Sequence, residues 1–112
     1  MSKRNKTLVV KRGEIWLADL GLAAKVRPVL ILSVPYSYND YALHAVVPHT
    51  TSHRGSDFEV RLAVQGLQEG AFNVQGLLAI PTAKLLRKIS HLTSNQIETV
   101  EIVVRKWLGL SG

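Results

Sequence analysis

Arg27-Pro28-Val29-Leu30-Ile31-Leu32-Ser33 decides how the rest of this chain is read. The unbroken apolar run Val29–Leu32, closed by a serine, is too short for a typical helix and suits a strand buried on both faces. Lys25 and Arg27 stand at its mouth, and Pro28 fixes the backbone angle just after the guanidinium. A guanidinium on a rigid strand end can bind phosphate oxygens through two parallel bonds. The plainer reading is that Arg27 marks where the strand leaves solvent, and these residues alone do not separate the two.

Upstream, Glu14–Asp19 reads as a first strand opened by Gly13. The short connection Leu22–Lys25 predicts an antiparallel hairpin with the Arg27 strand. Downstream, Pro35–Asp40 is a loop whose Tyr36 and Tyr38 suit either base stacking or packing over a barrel edge. Ala42–Val47 reads as a third strand stopped by Pro48, and His49–Ser56 as a polar loop. Phe58–Leu62 alternates with period two, as a half-exposed strand does. Gly66, Glu69-Gly70 and Asn73 mark turns, and Gly76–Ile80 reads as a buried strand ending at Pro81. Leu85–Ile89, with Arg87-Lys88 inserted, fits either a short strand or a turn of helix.

The period then changes. Thr93 and Gln96 form a capping box, Ile97, Val100, Val104 and Trp107 recur as one helical stripe, and Gly109 supplies the stop. Arg105 and Lys106 complement the helix dipole. Five or six short strands followed by one amphipathic helix predict a mainly β fold, a small curled sheet or barrel with the helix packed against it.

The 112 residues are expected to form a single domain over 1–112, with 1–11 a basic arm able to touch a phosphate backbone. Apolar content of 46% with 20% charged residues fits a folded globular chain. The absence of cysteine excludes thiol catalysis, zinc–thiolate sites and disulfides. A net charge of +6 favours nucleic acid or an acidic protein partner, solubility being the plainer explanation. Leu8-Val9-Val10 is too short for an export signal, and no apolar run approaches the roughly 20 residues of a membrane span, so no membrane association and a cytoplasmic location are expected.

Arg27 and the run His49-Thr50-Thr51-Ser52-His53-Arg54 sit at strand ends that neighbouring antiparallel strands would bring together. Hydroxyls beside guanidinium and imidazole groups make a phosphate-handling set. No serine sits in a nucleophile elbow, and there is no Walker loop or dinucleotide fingerprint. Metal ligation by His44, His49 and His53 is a weak reading. His44 alternates with Val46 on a strand and reads as structural. His49 and His53, with intrinsic pKa values of about 6.5, are candidates for proton transfer.

Taken in order, Arg12-Gly13-Glu14-Ile15-Trp16, Arg27-Pro28 with its strand and Ser33, Val47-Pro48-His49-Thr50-Thr51, Phe58-Glu59-Val60, Leu85–Ile89 and the Thr93–Leu108 helix resemble the MazF/PemK toxin family over Arg12–Leu110. The resemblance implies an SH3-like β-barrel with a C-terminal helix (the PemK/CcdB-like toxin fold), a homodimer, and an acidic antitoxin partner of the MazE/PemI kind. It implies a metal-independent, cofactor-free endoribonuclease acting on single-stranded RNA by 2′-hydroxyl attack, leaving a 2′,3′-cyclic phosphate and a 5′-hydroxyl. The family's catalytic Arg maps onto Arg27 and its catalytic Thr onto Thr50, with Thr51 the neighbouring choice. His49 and His53 are further candidates at the site, and Lys25, Ser52 and Arg54 are expected to contact RNA.

One departure bears on activity. Many members carry an Asp-Gln-Ile-Arg-like segment on a late strand, whereas Gln75-Gly76-Leu77-Leu78-Ala79-Ile80 here lacks the acid and the arginine. The Leu20–Lys25 connection is also short for the family. The alternatives are a catalytically weak RNA- or partner-binding module of the same fold, or a gyrase-poisoning toxin. Arg27-Pro28 together with Pro48-His49-Thr50 favours the ribonuclease.

Overall fold

The apolar run after Arg27 is unbroken because successive residues enter two different cores. Strands β1 (Glu14–Asp19) and β2 (Val26–Ile31) form the expected antiparallel hairpin, pairing Ile15 with Leu30 and Trp16 with Val29. Strand β3 (Leu43–Thr50) extends the rows, with Leu30 against Val47 and Ile31 against Val46. Ile15, Leu30 and Val47 join Phe72, Val100 and Val104 in the core beneath the C-terminal helix. Trp16, Val29, Ile31 and Val46 belong to a second cluster with Ile80 and Leu85. Leu30 is wholly buried, and its truncation to Ala would destabilise the fold by about 2–5 kcal/mol.

This computed structural model describes residues 9–22 and 25–111. Residues 1–8 of the expected basic arm and 23–24 of the first connection lie outside the described residues. The remaining elements are β4 (Glu59–Val60), β5 (Ala71–Asn73), β6 (Leu78–Pro81), β7 (Leu85–His91) and α1 (Ser94–Leu108). The sheet runs β4-β5-β3-β2-β1-β7, with β6 pairing β3. No ladder joins β4 to β7 among the described residues, so the predicted barrel is an open sheet of seven strands.

Several boundaries differ from expectation. Pro48 does not stop β3. It pairs with Val29 on one side; on the other it falls between the last β6 pair, Val46 with Leu78, and the first β5 pair, His49 with Phe72. At that change of partner strand the missing N–H removes no ladder bond. His49 and Thr50 are therefore strand residues rather than loop. Only Glu59–Val60 of Phe58–Leu62 is a strand, because its partner β5 is three residues long. That partner lay unrecognised among the turn signals. Gly76–Ile80 is not a buried strand: Val74–Gly76 is a 3₁₀ turn, and of the β6 residues only Ile80 is buried, since β6 pairs with β3 alone. Leu85–Ile89 is strand, extended to His91.

The helix follows its sequence signals closely. Thr93 Oγ1 accepts from the Gln96 N–H, Gln96 Oε1 accepts from the Thr93 N–H, and Gly109 closes the helix at φ 71°. Val100 and Val104 are buried, whereas Trp107 stays 41% exposed and packs its ring 5.0 Å from that of Phe58. Gly13 seats the helix on β1. With φ 93° it favours glycine, and a Cβ there would come within 2.6 Å of Ile97 Cδ1. Arg12 adds an ion pair to Glu101 of the helix and donates to the Leu32 carbonyl. Glu14 accepts from the Lys11 N–H and the Trp16 indole and pairs with Lys88, so the Arg12–Trp16 motif is structural.

His44 is structural too. It is buried, with Nε2 2.8 Å from Thr82 Oγ1, which is also 3.0 Å from the Tyr36 hydroxyl. Tyr36 thus packs at the sheet edge, while Tyr38 is fully in solvent.

Candidate active site

The β2–β3 ladder ends at Val29 with Pro48, and the same register carried two residues further sets Arg27 opposite Thr50. Both line one cavity of about 540 Å³, with His49, Thr51, Ser52, Gln68 and Arg87 around them and Leu17, Val26, Pro28, Leu67 and Ile89 as its apolar lining. A second cavity of about 290 Å³ shares Arg27, Thr50 and Ser52 with the first and is completed by Pro48, Arg54, Ser56, Glu59, Asn73 and Gln75. Arg27 and Thr50 thus stand in a wall common to both spaces.

Local bonding prepares these groups. Thr50 Oγ1 accepts the Ser52 N–H at 3.0 Å, which leaves the hydroxyl proton to be donated elsewhere. Gly70 permits the close approach of β5 to the end of β3: a Cβ there would lie 2.2 Å from the Thr50 carbonyl oxygen and 2.8 Å from His49 Cε1. His49 packs edge-on against Phe72, 5.0 Å between centroids. Burial lowers its pKa, and the charge of Arg27 lowers it further, so its imidazole is neutral near pH 7. Its Nε2 is buried and has no hydrogen-bond partner among the described residues.

Glu59 shapes the second cavity. Its carboxylate accepts the backbone N–H groups of Arg54, Gly55 and Ser56 at 2.7–3.0 Å. The Arg54 N–H is the largest cause of its lowered pKa, against a smaller opposing effect of burial. The loop carrying Arg54 is therefore held in shape by a side chain from β4.

Of the residues singled out in the sequence, Arg27, His49, Thr50, Thr51, Ser52 and Arg54 come together at the two cavities. Lys25 and His53 do not line them. Lys25 is exposed in the hairpin turn at φ 56°, and His53 stands near Glu59, where its charge contributes to the low carboxyl pKa. Sequence reasoning missed Arg87, Gln68, Asn73 and Gln75. Arg87 could have been found once Leu85–Ile89 was taken as a strand, because period two puts it on one face with Ile89, the face that lines the larger cavity. Among the described residues no three His, Asp or Glu side chains gather where a cation could be held.

Residues 11–108 match the family described as PemK-like, MazF-like toxin of type II toxin–antitoxin system. None of the curated protein sequences matches the chain. Among solved structures, the Mycobacterium tuberculosis toxin MazF-mt6 is similar at 30% identity and a TM-score of 0.75, covering 88% of this chain and 99% of that one. An endoribonuclease in complex with its cognate antitoxin from Mycobacterial species is similar at TM-score 0.79 and 21% identity, over 93% of this chain and 99% of that one. MazE–MazF from Deinococcus radiodurans gives 0.78 and 19% identity, over 94% and 100% of the two chains. The last two likenesses speak for the fold alone.

Proposed function

Because the chain belongs to the PemK-like, MazF-like toxin family of type II toxin–antitoxin systems, we propose that it is an endoribonuclease cutting single-stranded RNA, held in check by an acidic antitoxin. The observation that carries this reading is the pair Arg27 and Thr50, set opposite each other in a wall with open space on both sides. A phosphate at that wall leaves room for one nucleotide in each cavity.

The reaction that suits these groups is internal transesterification. The ribose 2′-oxygen attacks the adjacent phosphorus while its proton passes to the imidazole of His49, which lines the larger cavity and is neutral near pH 7. The bond from phosphorus to the 5′-oxygen breaks, and that oxygen leaves with the bonding pair and takes a proton from water. The products are a 2′,3′-cyclic phosphate and a 5′-hydroxyl. Arg27 neutralises charge on the phosphorane and Thr50 donates to a non-bridging oxygen, the kind of stabilisation that is often the largest part of catalysis. The nucleophile lies within the substrate, so this route requires no metal.

Net charge and homologous complexes support the partners. A +6 chain with Arg27, Arg54 and Arg87 at one cleft attracts RNA and an acidic protein segment alike, and solved relatives include a complex of an endoribonuclease with its antitoxin. We infer a cytoplasmic, homodimeric toxin; no described helix is long and apolar enough to cross a membrane. The test is a long single-stranded RNA with excess EDTA, for the protein and for Arg27→Ala. Discrete fragments ending in 2′,3′-cyclic phosphate, absent with the variant, are expected. Intact RNA that shifts in a salt-sensitive binding assay would replace the enzyme with a binding module.

A further inference from the structure

The two cavities that share Arg27, Thr50 and Ser52 differ in chemistry. The larger one mixes the aliphatic side chains of Leu17, Val26, Leu67 and Ile89 with the polar groups of His49, Thr51, Gln68 and Arg87. In the smaller one every lining side chain except Pro48 is polar. Its volume of about 290 Å³ is at the low end of the roughly 300–1,000 Å³ that hold small organic ligands, a size suited to one base.

Within the polar cavity the groups are not equivalent. Glu59 is engaged by three backbone N–H groups and so fixes the wall instead of reading a ligand. The carboxamides of Asn73 and Gln75 make no hydrogen bond to the described residues. Asn73 ends β5, where it pairs with Glu59, and Gln75 follows it in the 3₁₀ turn, so both side chains are carried by fixed backbone. Each offers a donor and an acceptor. Such amides favour a base whose edge presents the complementary pattern, with discrimination of about tenfold or more for each well-formed pair.

We propose that the polar cavity reads the base on one side of the scissile phosphate, through Asn73 and Gln75. The proposal rests on the endoribonuclease reading above. It makes Asn73 and Gln75 specificity-determining residues of the cleavage, Gln75 opening the segment where the chain departs from the family's acid-and-arginine pattern.

The experiment is cleavage of a randomised single-stranded RNA pool by the full chain, Gln75→Ala and Asn73→Ala, with the sequences flanking each cut read out. Gln75 is exposed, so its truncation leaves the fold intact, and thermal unfolding checks both variants. The expected result is a preference at one nucleotide beside the cut that falls about tenfold or more in either variant, with the preferences at other positions unchanged. A flanking preference that persists in both variants, or relaxes equally at all positions, overturns the proposal and leaves the endoribonuclease standing. An unaltered chain that cuts nothing in the pool overturns the endoribonuclease reading and this proposal with it.

Discussion

Arg27 on β2 and Thr50 on β3 stand opposite each other, two residues beyond the last ladder pair of Val29 with Pro48. Neither depends on a flexible loop for its position, and the strands carrying them are pinned by Leu30 and Val47 in the core beneath the helix.

Arg27→Ala is expected to lower RNA cleavage about 10²–10³-fold, the effect of removing one preorganised charge-stabilising donor. Arg27→Lys recovers little of it, since an ammonium lacks the planar fork. Thermal unfolding should shift only slightly, because Arg27 is half-exposed and outside both apolar clusters. Cleavage rates alongside melting curves separate the two effects.

Thr50→Val keeps shape and removes the hydroxyl. Its expected loss is comparable, about 10²-fold, whereas Thr50→Ser retains most of the activity. The Ser52 N–H also loses its acceptor in Thr50→Val, so the turn after β3 loosens, visible as faster amide exchange at Ser52.

Gly70→Ala tests whether the approach of β5 sets the site. The new methyl would lie 2.2 Å from the Thr50 carbonyl, and the backbone there has no slack comparable to a flexible side chain. Destabilisation of about 1–3 kcal/mol is expected, with cleavage falling by more than the unfolded fraction explains. Denaturant unfolding and activity measured on the same preparation provide the comparison.

Acid should destabilise the fold through two histidines before it does so through the carboxylates. Burial lowers the pKa of His44 and, with Arg27, that of His49, both from 6.5. The unfolded chain binds these protons first, so stability is full above pH 6.5 and falls as pH drops toward the folded values, by at most about 1.4 kcal/mol per pH unit for each histidine. Urea unfolding between pH 7.5 and 5, approximate limits set by those pKa values, should show this slope, and His49→Gln should remove about half of it.

The parts of this molecule legible in the sequence are those fixed by local pattern. The β1–β2 hairpin is visible because Ile15 and Leu30, then Trp16 and Val29, alternate between two cores; the helix is visible because Thr93, Gln96 and Gly109 are its caps. Arg27 was legible as a phosphate-binding strand end near the Thr50 run, whereas the catalytic roles of Arg27 and Thr50 came with the family resemblance. What depends on long-range pairing was hidden. Pro48 reads as a stop unless β3 is known to change partner there, and Ala71–Asn73 is too short to signal a strand by itself. Asn73 therefore reads as a turn residue with no cavity to face.

Arg87 and Lys88 are neighbours on β7 with different surroundings, which yields a paired prediction. Arg87 shares a register row with Leu17 and Pro28 and lines the larger cavity with Arg27. Lys88 reaches the buried Glu14 at 3.1 Å. If Arg87 meets a phosphate, Arg87→Ala weakens binding of an uncleavable 2′-O-methyl RNA and reduces the slope of log affinity against log salt by about 0.7, the value for one contact to a single strand. Lys88→Ala leaves that slope unchanged. It instead weakens the fold by about 1 kcal/mol or less, because the pair is partly exposed and screened, and because Glu14 keeps the Lys11 N–H and the Trp16 indole. Equal salt slopes for the two variants would remove Arg87 from the RNA path.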